Sequence, residues 1–135
     1  MKIAARVLAA LVGITGLIQI IIGSLFWTGH ALALIPFHMK VGYVFVLATW
    51  ILCALGFRAR LWMRSSVALV WSLVVVGLGM TQMQLFPGVN HWVIRALHLV
   101  VGLIAMTLAG QLAARIGASD AVGSPSRPSP LEATP

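Results

Sequence analysis

Apolar residues run along this chain in four long blocks, and polar residues gather between them. No charged side chain falls in Val7 to Trp27, Val41 to Phe57, Ser65 to Phe86 or Ala96 to Ala114. Each block is about as long as a helix rising ~1.5 Å per residue needs to cross ~30 Å of hydrocarbon. The second helix is predicted to start upstream of its block, because Ala31-Leu-Ala-Leu-Ile35 is also apolar and Pro36 is tolerated in an opening turn. Asn90, a residue type that caps helices, places the start of the fourth at His91. The expected elements are therefore spans of about 7–27, 31–57, 65–86 and 91–114, packed as an all-α, integral membrane four-helix bundle over residues 1–116.

Composition agrees with lipid as the solvent. Of 135 residues, 61% are hydrophobic and 8% charged, against roughly 25% charged in an average soluble domain. The first block, with Lys2 and Arg6 ahead of it and Ala31-Leu-Ala33 behind, imitates a secretory signal. Its apolar run exceeds the roughly 7 to 15 residues of such a signal, so it is expected to stay as a span. Residues 117–135 turn to Ser, Pro, Ala and Gly and cannot bury a core, which predicts a disordered tail.

Charge then orients the bundle. Lys2, Arg6, Arg58, Arg60, Arg64 and Arg115 lie at the two ends and in the middle connection, which share one side when there are four spans. By the positive-inside rule that side is cytoplasmic, with both termini and the tail there, in what reads as a bacterial inner membrane. The other side holds Lys40 and Arg95, Trp27 and Trp92 at interfacial positions, and all four histidines, His30, His38, His91 and His98. A net charge of +7 does not point to nucleic acid, because the basic residues mark connections between apolar runs and form no stripe. The only two acids, Asp120 and Glu132, come after the spans. Proton relays, cation transport and most hydrolytic chemistry lean on carboxylates, so their absence from the spans argues against an ion pump or a stand-alone enzyme. Cys53, alone in an apolar run, reads as a small buried filler.

Laid over each other, His38-Met-Lys-Val-Gly42 and His98-Leu-Val-Val-Gly102 match at histidine, valine and glycine, and Thr28-Gly-His30 corresponds to Val89-Asn-His91 nearby. The chain thus reads as two parallel helical-hairpin repeats, related by an axis along the membrane normal, which would bring His38 and His98 face to face. His91, Arg95, His98 and Gly102 recur at helical spacing on one face, and that polar stripe should point inward.

Two imidazoles on facing helices, each followed one turn deeper by glycine, suit a flat macrocycle between helices. Imidazole supplies an axial nitrogen, and Gly42 and Gly102 omit side chains that would clash with a porphyrin. Lys40 and Arg95 could meet anionic propionates at the outer boundary, with His30 and His91 adding hydrogen bonds. This arrangement predicts haem b with His38 and His98 as its metal ligands. The competing readings are interfacial histidines with no ligand, and zinc or copper held by His30 and His91 near the surface. Gln19, Gln82 and Gln84, placed in the first and third spans, are expected to bond helix to helix, and Gly13, Gly16, Gly23, Gly77 and Gly79 to let helices approach. Met80, Met83 and Met106, together with Trp50 and Trp71, read as packing residues.

Gln19-Ile-Ile-Ile-Gly23, an outer histidine, and then His38-x-x-x-Gly42 resemble the haem-binding four-helix half of the heme A synthase family across roughly residues 13 to 112. The resemblance implies histidines paired from the second and fourth helices on the outer side, with His38 and His98 at the matching positions. Other four-helix membrane cytochromes b share the frame. This chain has one such half instead of two and no acid in its outer connections, so the family's oxygenating activity is not implied. What carries over is a haem-holding frame for electron transfer to a quinone or redox-protein partner, in a small cytochrome or a subunit of a larger membrane complex. The alternative expectation is a non-catalytic structural or assembly subunit with no cofactor.

Overall fold

A computed structural model describes residues 1–86 and 88–122, the side chains of 120–122 excepted. It contains α1 (Lys2–Trp27), a single 3-10 turn (Leu32–Leu34), α2 (Ile35–Arg58), α3 (Trp62–Thr81) and α4 (His91–Val122). All four helices are long and apolar enough to cross a membrane. They form an all-α bundle in which each helix packs against its chain neighbour, α1 closes the ring against α4, and α2 also meets α4 across the middle. Large apolar side chains such as Ile3, Ile14, Leu47 and Val70 face outward, a cost in water that hydrocarbon removes. Hydroxyls within the helices fold back on their own backbone: Thr15 donates to Leu11, Thr49 to Phe45 and Thr107 to Leu103. These three hydroxyls need no partner in lipid, whereas the enclosed Ser65 hydroxyl of α3 has none.

Boundaries differ from the sequence pattern: α1 opens earlier than expected, at Lys2, and α3 at Trp62, and three further differences change more. The second helix begins at Ile35, because Ala31 takes a left-handed φ of 60° and the chain makes a 3-10 turn before Pro36 enters the first helical turn. The third ends at Thr81, where the Thr81 hydroxyl bonds back to Gly77 and the next residues form turns closed by Gln84 N–H to Thr81 and Leu85 N–H to Gln82. Gln82 and Gln84 therefore belong to a connection and not to the third span. The fourth runs on to Val122, beyond the expected end at 114, so the tail's first residues are helical. The remainder of that tail, 123–135, lies outside the described residues.

Packing is uneven along the bundle. The continuous apolar core joins Ala5 and Val12 of α1, Ala48, Leu52 and Cys53 of α2, Ala68 of α3, and Ala105, Ala109, Leu112 and Ile116 of α4, all toward the end that carries Lys2, Arg58 and Arg64. Cys53 is buried in this core, as its sequence context predicts. Gly56 sits where α2, α3 and α4 converge, against the Ser65 hydroxyl and the Leu112 side chain. The α2–α3 turn beside it is short, with Arg60 left-handed and Leu61 N–H bonded to Gly56. At the histidine end the buried apolar residues Ile22 and Ile94 stand apart from that core.

Two tryptophans stitch neighbouring helices. Trp50 donates from its indole N–H to the buried Ser72 hydroxyl at 2.8 Å, joining α2 to α3, and Trp71 donates to the Val101 carbonyl at 2.9 Å, joining α3 to α4. Trp50→Phe removes the donor together with part of the ring system. It should lower stability by at least about 1 kcal/mol, read from reversible unfolding in mixed micelles.

Candidate functional site

His38 lies in the first turn of α2 and His98 two turns into α4. These are the two helices that meet across the bundle. Each ring rests on a glycine of the preceding helix. A Cβ built on Gly79 of α3 would stand 3.2 Å from Cε1 of His98, and one built on Gly23 of α1 would stand 3.9 Å from Cε1 of His38. The two hairpins therefore place their histidines alike, ring over glycine. Gly23 and Gly79 were expected only to ease helix packing. Their cross-helix position depends on how the helices are rotated, which spacing within one helix does not reveal.

Neither of these half-buried imidazoles is satisfied at Nδ1. Nδ1 of His38 and Nδ1 of His98 are enclosed and make no hydrogen bond. An enclosed polar atom left unpaired costs about 1–3 kcal/mol, so both rings keep unspent bonding capacity inside the protein. Phe26 presents its ring to His38 in an edge contact, centroids 5.3 Å apart at 63°. Gln19 reaches from α1 and donates from Nε2 to the His38 carbonyl at 3.0 Å, the helix-to-helix bond its position predicts. Its Oε1 is a third enclosed, unpaired atom beside the pair.

The other two histidines behave differently. His30 Nδ1 pairs with the Thr28 hydroxyl at 3.0 Å, and His91 Nδ1 pairs with the Leu85 carbonyl at 3.3 Å, both exposed and both within their own connections. Among the described residues no three His, Cys, Asp or Glu side chains gather at one point, so the protein alone builds no metal cage of three or more such ligands. Arg95 shares a face with His98 and is half-buried, whereas Lys40 follows His38 by two residues, about 200° around the helix, and is exposed. Arg95 is therefore the outer cation that belongs to the site. Met80 and Met83 are exposed, and Met106 packs against Gly16.

The surroundings of Gly42 and Gly102 test the fit of a macrocycle. Gly102, one turn deeper than His98, has open space around its α-carbon, with nothing within 4 Å of an added Cβ. Gly42, one turn deeper than His38, is covered by the Gln19 amide, 2.7 Å from the same imagined atom. Two imidazoles with unmet nitrogens on contacting helices, room beside one and a flexible amide beside the other are compatible with a flat ligand. Room beside His38 requires Gln19 to swing aside.

Comparison with protein-family models, curated proteins and solved structures finds no match for this chain. Its function has to be argued from the site.

Proposed function

We propose that the histidine end of the bundle holds a b-type haem between His38 and His98, and that the protein carries electrons. The observation that carries this reading is the pair of half-buried imidazoles, each with an enclosed and unpaired Nδ1, on two helices that meet across the bundle. His38 and His98 would supply the axial nitrogens, Arg95 the counter-charge for a propionate, and Gly102 the clearance one turn deeper. Gly23 and Gly79 let the rings lie against α1 and α3, which fixes their orientation before anything binds. When bound, such a group exchanges one electron between ferric and ferrous states. Arg95, half-buried one turn before His98, would favour the reduced side of the couple.

In this reading the basic end faces the cytoplasm with both termini, the histidine end faces outward, and the membrane is a bacterial inner membrane. A quinone or a redox protein, as a free partner or within a larger membrane complex, would exchange the electron near the outer face. A second reading is a structural or assembly subunit with no cofactor. In its favour the Gln19 amide already fills the space over Gly42 and the His98 ring is seated on Gly79, so the helices pack with nothing between them.

Absorption spectroscopy separates the two. Protein purified from haem-replete membranes should show a Soret band that shifts on reduction with dithionite, and a pyridine haemochrome spectrum of the b type. Colourless protein from such membranes, still colourless after titration with haemin, sinks the cytochrome reading and leaves the structural one.

A further inference from the structure

At the opposite end of the bundle lies a groove of about 500 Å³ between α1 and α4, lined by Lys2, Arg6, Ala9, Gly110, Ala113, Ala114 and Gly117. Small residues make its floor: a Cβ added to Gly110 or to Gly117 would meet nothing within 4 Å, so the hollow is open at both glycines. Cations make its rim. Lys2 is half-buried and Arg6 exposed, and none of residues 1–119 is an acid. The two carboxylate side chains of the sequence, Asp120 and Glu132, both come later and lie outside the described part. α1 also opens here without a side-chain cap, so its first N–H groups and the positive end of its dipole add to the field.

The position decides which anion this is. The groove lies where the charge-free run of α1 gives way to its basic end, so one wall is apolar and the rim is cationic. A soluble anion would use only the rim. A phospholipid uses both parts, with its phosphate at the cations and its first acyl carbons over the small-residue floor, and basic pockets between membrane helices take anionic head groups in this way.

We propose that this groove holds an anionic phospholipid, with its phosphate between Lys2 and Arg6 and its acyl chain along Gly110, Ala113 and Gly117. The site depends on nothing at the histidine end. It makes the basic end of α1 a binding element as well as a topological signal, and it ties α1 to α4 through a shared lipid.

Native mass spectrometry of the full chain released from nanodiscs of equal phosphatidylglycerol and phosphatidylcholine tests it. Retained phosphatidylglycerol should exceed phosphatidylcholine by on the order of tenfold, as expected for two cations acting together. The Lys2→Gln/Arg6→Gln double variant should lose that preference. Gly117→Leu, which fills the groove and keeps both charges, should lose the retained lipid altogether. Glycerol phosphate added in excess should not displace the lipid; if it does, the site reads phosphate alone and the acyl part of the proposal is wrong. Equal retention of both lipids by the parent protein, or unchanged phosphatidylglycerol retention in both variants, overturns the proposal. Far-ultraviolet circular dichroism of each variant confirms that the helices remain.

Discussion

On the proposed haem reading, His98→Ala is expected to remove the haem completely, and His38→Ala to do the same, while His30→Ala and His91→Ala leave the Soret band in place with at most a small shift. The asymmetry follows from where the rings are. His30 and His91 already spend Nδ1 on Thr28 and Leu85 in exposed connections, whereas Nδ1 of His38 and Nδ1 of His98 are enclosed and unspent. A purely structural role makes a different forecast for the same variants. If His98 were there to hold the fold, alanine should lower the melting temperature of the colourless protein. Alanine also discards an unpaired buried nitrogen, which returns about 1–3 kcal/mol and offsets the hole left over Gly79. The cofactor-free variant should thus melt close to its cofactor-free parent. Loss of colour with an unchanged apo melt supports ligation, and retained colour in both inner-pair variants sinks it.

The largest expected effect on stability is at the other end. Gly56→Leu should destabilise the bundle by the upper part of the roughly 1–3 kcal/mol that overpacking costs, or beyond it. Even a single carbon at Gly56 would press on the Ser65 hydroxyl, and on Cδ1 of Leu112 at 2.9 Å, and Leu52, Ser65, Leu112 and Ile116 are all fully enclosed. Neither helix has free space to yield into, since the turn from Ala59 to Leu61 holds α2 and α3 together. Gly77→Ala is the matched control. Nothing lies within 4 Å of its added carbon, so better helix propensity should leave stability unchanged or raise it by up to about 1 kcal/mol. Unfolding followed by circular dichroism in mixed micelles measures both, and a Gly56→Leu protein as stable as its parent would mean that the three-helix junction is looser than described.

Much of the architecture was readable because the membrane imposes a length and excludes charge, and both are visible in a single sequence. Four charge-free runs sufficed for four helices, and the separation of His38 and His98 from His30 and His91 followed from helical spacing. The third helix was overestimated because Leu85 and Phe86 are apolar, and hydropathy reports solvent preference, not backbone angle. Phe86 takes a φ of +46°, outside any right-handed helix. The start of α2 was missed for a similar reason, with a left-handed Ala31 hidden in a run that looked continuous. Gly23 and Gly79 were seen as packing glycines but not as the seats of the two imidazoles. Gln19 was expected to bond helix to helix and does so, but that its partner is the His38 carbonyl leaves no trace in local spacing.

The concentration of buried side chains away from the histidines bears on the order in which such a molecule is put together. Ala5, Leu52, Ala68, Ala109 and Leu112 draw all four helices into contact without help from either imidazole. On the proposed haem reading, a bundle joined by this core would not need its ligand in order to bring the four helices together.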